Sequence, residues 1–345
     1  MVDFLQSKII YEDMERIFAK GDYSPLRGKT VLISGAYGML ASYMVYFLLY
    51  LNKIHGYKIN IISLSRSDKK LKERFGAHTS DITRLTQSVC EPACAYCDYI
   101  IHAAGFASPQ YYTVVPVDVM LPNLIGTHNL LELAHRNNAR LLYFSTCGVY
   151  GKYGENKLRT ENDFGVIDTL NPHSCYDESK RAGETLCAAY CKQKGVQAVI
   201  ARIAHTYGPT ADIENDPRVF ASFVKNAVSK QDIVIKSDGL SKRSFCYITD
   251  AAAAYLRLTL EGKAGEAYNV CNEEQTVSIN ELGGIISKLA GVGFTYRKRP
   301  ETDTYLQDKN SGTSVFSSEK LRSLGFAFDV NIEEGFSRVL KYFAE

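Results

Sequence analysis

Short apolar runs alternate along the chain with longer stretches whose apolar residues recur at helical spacing. Thr30-Val-Leu-Ile-Ser34 is a β-branched run closed by Gly35, and Met39 to Leu51 then reads as a buried helix. Ile59 to Leu64, Tyr99 to His102, Leu141 to Ser145 and Ala198 to Ile203 read as further strands. The longest helical stretches between them are Leu121 to His135 and Tyr176 to Lys192. Strands alternating with helices predict an α/β fold built on a doubly wound parallel sheet. Ahead of it, Phe4, Leu5, Ile9, Ile10, Met14, Ile17 and Phe18 share one face of a helix over residues 3 to 20, which predicts docking on the core. Asp3, Glu12, Asp13 and Glu15 deny that helix the basic face a membrane surface would need. Beyond Pro209 the elements shorten and polar loops appear at 212–217 and 297–312, predicting a smaller α+β lobe.

Composition narrows the function classes. In 345 residues, 46% hydrophobic and 23% charged side chains are globular usage, and 40 basic against 38 acidic residues leave a formal charge of +2. So small a balance, with no run of like charge, offers no footprint for nucleic acid or an anionic membrane. The longest apolar stretch, Tyr43 to Leu51, is too short to span a bilayer. Charged residues lie where a signal peptide needs an apolar core, and nine cysteines, an odd number, suit reduced thiols; both predict a cytoplasmic protein. Cys90, Cys94 and Cys97 have a cluster-like spacing but no fourth ligand close in sequence, so no metal is expected.

Chemistry concentrates at strand ends. Gly35-Ala-Tyr37-Gly38-Met39-Leu40-Ala41 lies between the first strand and first helix, where glycines let backbone approach a pyrophosphate at the helix N-terminus. The second strand ends Ser65-Arg66-Ser67 without the acidic residue that favours NAD. Arg66 either pairs with a 2′-phosphate, which favours NADP, or lies solvated over the adenine face. Tyr176 and Lys180, four apart on a helix, share a face, where the ammonium would favour phenolate and equip the tyrosine for proton transfer. Ser145-Thr146 closes the preceding strand at its carboxyl end, the ligand-binding edge of such sheets, and Thr146 can donate to the same substrate oxygen.

With these pieces, His102-Ala103-Ala104-Gly105, Val149-Tyr-Gly151, Arg202 with Tyr207-Gly-Pro209, and Lys242-Arg243 through Asp250, the chain resembles the extended short-chain dehydrogenases of the nucleotide-sugar epimerase and dehydratase type. Ala107-Ser108-Pro-Gln-Tyr-Tyr112 and Cys175 through Arg181 look most like UDP-glucuronate decarboxylases. The resemblance implies a Rossmann domain at 28–205 with a return segment at 244–272. A helical extension precedes it at 1–27, and a substrate lobe is drawn from 206–243 and 273–345. It further implies NAD by family habit, a nucleotide-diphosphate sugar oxidised at C4, and a homodimer whose helices use Leu124, Leu130, Leu131, Leu133, Leu186 and Tyr190. Implied cofactor contacts are Gly35, Tyr37, Gly38, Met39, Leu40, Ser65, Arg66, Ser67, Ala103, Ala104, Gly105, Tyr176 and Lys180. Implied substrate contacts are Ser108, Thr146, His205, Arg218 and Arg243, with Arg243 as the diphosphate clamp.

The departures point away from the decarboxylases. Where they carry an acid before Val-Tyr-Gly, this chain has Cys147-Gly148, and glycine offers no group for chemistry at the sugar's C5. Cys147 is either an acid or a small core thiol. A second family arginine reads as Gly312-Thr313, leaving Arg218, Lys242, Arg297 or Lys298 as substitutes. His205 stands where relatives have asparagine, to contact the nucleotide-sugar, titrate or cap the strand. The expectation is a C4 epimerase of a UDP-hexose or UDP-uronate. Alternatives are an NADPH-dependent 4-keto reductase, a UDP-glucuronate decarboxylase or 4,6-dehydratase, and a non-catalytic NADP sensor.

Overall fold

The computed structural model describes residues 5–151, 157–235, 237–296 and 315–345. Seven parallel strands form the main sheet: β1 (Thr30–Ser34), β2 (Asn60–Ser65), β3 (Ile82–Thr86), β4 (Tyr99–His102), β5 (Arg140–Thr146), β6 (Gln197–Ile203) and, late in the chain, β10 (Ala267–Val270). Their order is β10-β6-β5-β4-β1-β2-β3, so the chain reverses direction across the sheet between β1 and β4. Ligands bind at such a reversal, outside the carboxyl ends of the strands. The α/β doubly wound architecture expected from the sequence is the one observed. β7 (His205–Tyr207), β9 (Lys242–Tyr247) and β11 (Thr276–Ser278) make a three-stranded sheet, and β8 (Ile233–Ile235) pairs with β12 (Phe294–Tyr296).

The helices are α1 (Lys8–Ala19), α2 (Met39–His55), α3 (Asp68–Phe75), α4 (Pro109–Val114), α5 (Pro116–Leu121), α6 (Thr127–Asn137), α7 (Cys175–Lys194), α8 (Val219–Val228), α9 (Ile248–Glu261), α10 (Ile279–Ala290), α11 (Glu319–Arg322) and α12 (Ile332–Tyr342). α2 is buried on nearly every face because it lies between the sheet and α1 and α9, which explains its continuous apolar run. α1 docks on the core as expected, with Ile9, Ile10, Met14 and Ile17 buried; Asp3 and Phe4 lie outside the described residues.

The helix expected from Leu121 to His135 is observed within a continuous helical stretch, α5 running into α6 through a π-helical segment, Pro122–Gly126. Pro122 cannot donate to the ladder, and the turn lets Gly126 approach Val89, where a Cβ would come within 2.7 Å of its Cγ1. The apolar surface expected for a homodimer lies elsewhere than on the residues named for it. Leu130, Leu131, Leu133 and Tyr190 are buried in this chain's own core, between α6, α7 and the sheet, while Val117, Leu121 and Ile125 are exposed.

Candidate active site

The glycine turn after β1 is closed against a second turn after β4. Ser34 Oγ accepts from the backbone N–H of Ala103 and of Ala104, each at 3.1 Å, and also contacts His102 Nδ1 at 2.9 Å. Gly35, at φ +69°, lies so near this turn that a Cβ would stand 2.9 Å from Ala104 Cα. A side chain is excluded by both conformation and space. Gly38 is the N-cap of α2 and gives the first-turn N–H groups of this 17-residue helix no side-chain hydrogen bond. Tyr37, Met39 and Leu40 lie half-buried around the turn. This cradle fits a dinucleotide pyrophosphate.

At the end of β2, Ser65 is buried against Ser63, Ser67 caps α3, and exposed Arg66 lies over the Phe106 ring at 5.0 Å. Gly105 and Ser108 lie on the segment leading into α4. Ser108 Oγ is buried without a hydrogen-bond partner, and a bound ligand would satisfy it.

Thr146, at the end of β5, hydrogen-bonds the Tyr176 hydroxyl, and its Oγ1 also accepts from Gly148 N at 3.0 Å. Tyr176, near the start of α7, stacks on Tyr112 at 5.0 Å between ring centroids. Burial raises its pKa, with the Asp177 charge adding to the rise and the Thr146 hydrogen bond opposing it. Lys180 follows Tyr176 by one helical turn, and its ammonium stands beside the Tyr176 ring as the spacing predicts. Lys180 Nζ donates to Phe144 O at 2.6 Å and stands 5.9 Å from the Tyr176 ring centroid. Burial pulls the ammonium itself down to about 7.

Behind this edge, Ser145 Oγ donates to Glu184 at 2.5 Å, and Glu184 pairs with Arg202, whose Nη1 reaches the Tyr150 hydroxyl at 3.1 Å. Ser145 and Arg202 thus brace the strand end. Cys147 belongs to that interior: its thiol faces Arg202 O at 3.5 Å, and burial pushes its pKa up, so it is a core thiol and not an acid of the site.

The Gly148 position holds what the motif reading missed. A Cβ there would stand 2.0 Å from Asp177 Oδ1 and 2.9 Å from its Cγ. Asp177, next to Tyr176 on α7, turns its carboxyl into the space a side chain at 148 would take, so the expected gap is filled. Its proximity to Tyr176 in sequence was the available signal, but i and i+1 project to different helix faces. Tyr112, in the Ala107–Tyr112 motif, joins the site through its stacking on Tyr176.

On the far side, His205 Nδ1 is buried and unpartnered. Burial, then Arg243 and Arg218, drive its pKa down to about 3, so it is neutral and does not titrate near pH 7. Arg218 pairs with Asp216 and lies near enough to lower the pKa of Tyr112 and Tyr176 as well. It therefore links the tyrosines to His205 and Arg243. Lys242 is exposed, while Arg297, Lys298, Gly312 and Thr313 lie outside the described residues.

A profile described as the NAD dependent epimerase/dehydratase family matches residues 31–271. The chain is 30% identical over 345 residues to UDP-glucuronic acid decarboxylase 1 of Xenopus tropicalis, covering 98% of this chain and 78% of that protein. It is 34% identical over 273 residues to UDP-glucuronic acid decarboxylase 6 of Arabidopsis thaliana, covering 77% and 78%. In structure it is similar to UDP-glucose 4-epimerase of Thermotoga maritima in complex with UDP-glucose, with a TM-score of 0.78 at 20% identity over 91% of this chain and 98% of that one. The chain therefore belongs to the NAD-dependent epimerase/dehydratase family of extended short-chain dehydrogenases, enzymes that act on nucleotide sugars.

Proposed function

We propose that this enzyme decarboxylates a UDP-hexuronate, UDP-glucuronate being the substrate of choice, through a 4-ketone. One observation carries this reading over the C4 epimerase expected from Gly148: the carboxyl of Asp177 fills the space beside that glycine. The similarity to UDP-glucuronic acid decarboxylases over most of the chain supports it.

A bound nicotinamide dinucleotide supplies the hydride acceptor and donor. Tyr176, as phenolate beside the Lys180 ammonium, takes the proton of the C4 hydroxyl, and Thr146 holds the same oxygen. The resulting 4-keto uronate is a β-keto acid, so its C5–C6 bond breaks and carbon dioxide leaves. Tyr176 returns its proton when hydride comes back to C4. Arg243 clamps the diphosphate, a task suited to a planar, permanently charged fork. His205, Arg218 and Ser108 present further polar groups to the nucleotide-sugar. A second copy of the chain is the proposed partner, on the face of α5 and the π turn.

C4 epimerisation is the second reading, favoured by Tyr176 and Thr146 being sufficient for hydride out and hydride back. Incubating the purified enzyme with UDP-glucuronate and NAD separates the two by mass spectrometry and NMR. UDP-pentose with carbon dioxide is the expected product; UDP-galacturonate as sole product would replace decarboxylation with epimerisation.

A further inference from the structure

α7 carries two groups into the site from adjacent positions: the Tyr176 phenol, in contact with Thr146, and the Asp177 carboxyl, against Gly148. Among the described residues no side chain or backbone N–H hydrogen-bonds the Asp177 carboxyl. Most acids that only brace a fold are held by such donors. The charged groups acting on it are Arg181 and Glu178 on α7 and His173 on the preceding turn. Arg181 is committed elsewhere, donating to Val149 O at 2.7 Å and Gly165 O at 2.6 Å. Burial outweighs these neighbours and raises the carboxyl to about 6, so it holds its proton to higher pH than an ordinary carboxyl does.

We infer that Asp177 is the proton donor to C5 of the sugar, so that the carboxylic acid absent at position 148 is supplied from the helix that also carries Tyr176. The inference rests on the decarboxylation proposed above. Loss of carbon dioxide leaves the C5–C6 electron pair on C5 as the enolate of the C4 ketone. The Asp177 proton goes to C5 and completes the new CH2 group, the carboxylate then recovers a proton from solvent, and hydride return reduces the ketone. The net change is one proton consumed and one carbon dioxide released.

The test uses the full-length enzyme with UDP-glucuronate in deuterium oxide. Wild type is expected to place deuterium at one of the two C5 positions of the UDP-pentose. Asp177→Asn keeps size and shape, so it should still fold and still reduce bound NAD on adding substrate, seen as absorbance at 340 nm. Its UDP-pentose formation should fall by about 10² to 10⁴-fold, the usual range for one positioned acid, with deuterium now at both C5 positions. Pairing Gly148→Glu with Asp177→Ala removes the steric conflict and moves the carboxyl to the loop, so it should recover at least about tenfold over Asp177→Ala alone, a part of the loss expected for one positioned acid. Unchanged rate and facial selectivity in Asp177→Asn, or no recovery in the folded double variant, would overturn the assignment and leave Asp177 a packing residue. A wild-type enzyme that yields only the 4-epimer would instead remove the decarboxylation reading, and the inference with it.

Discussion

At the residue scale, proton transfer and burial act on the same side chains. Tyr176→Phe deletes the oxygen that moves the O4 proton and little else, so turnover should fall by about 10² to 10⁴-fold while dinucleotide binding, followed by fluorescence titration, holds. Lys180 carries a different cost, because its ammonium is buried with a carbonyl and aromatic faces for company. Its folded pKa, about 7, lies below the ordinary lysine value. The unfolded chain therefore binds the extra proton between pH 7 and the ordinary value, and this group makes stability rise with pH across that window. Lys180→Met should abolish turnover, leave the melting temperature at or above wild type at pH 7, and flatten that rise. A lower melting temperature would show that the Phe144 contact outweighs the desolvation. Arg66→Asp should lower the NADP to NAD affinity ratio by about ten- to a hundredfold, the worth of one charge-assisted contact. No change would leave Arg66 stacked on Phe106 as a surface cation.

At the scale of elements, one buried carboxylate ties four of them together. Asp13 on α1 accepts from the hydroxyls of Tyr43 on α2 and Tyr247 at the end of β9, at 2.7 and 2.8 Å, and pairs with Arg338 on α12 at 2.7 Å. Asp13→Ala leaves two phenols and a guanidinium buried without it. A loss of about 3 to 5 kcal/mol is expected in chemical denaturation, as for breaking one side of a buried ion pair. The docking of α1 was readable from its apolar face, whereas the Asp13 clasp was not. An acid that spoils a membrane-binding face reads as solvent-exposed until the partners that bury it are known. β3 and β10 also escaped the apolar pattern: β3 is a half-exposed edge strand of mixed polarity, and the short run of β10 is interrupted by the polar, fully buried Asn269.

For the whole molecule, the exposed apolar side chains Val117, Leu121 and Ile125 cluster on α5 and the π turn. A second copy covering them would give light scattering of twice the chain mass at micromolar concentration, and Val117→Glu with Ile125→Glu should return the monomer. A monomeric wild type would count against that partner. The alternation of β1, β2, β4, β5 and β6 with helices, the glycine cradle and the Tyr176 to Lys180 spacing were legible in the chain, because each depends on neighbours within one or two turns or on a short apolar run. Which groups meet at the site was not. The carboxyl of Asp177 fills the gap at Gly148 only because α7 packs its first turn against the loop after β5. Lys180 is desolvated, and His205 comes beside Arg218 and Arg243, only once several distant segments close around them. Spacing within one element is set by backbone geometry, while desolvation and contact between elements are set by packing, and here packing decides where the Asp177 carboxyl stands.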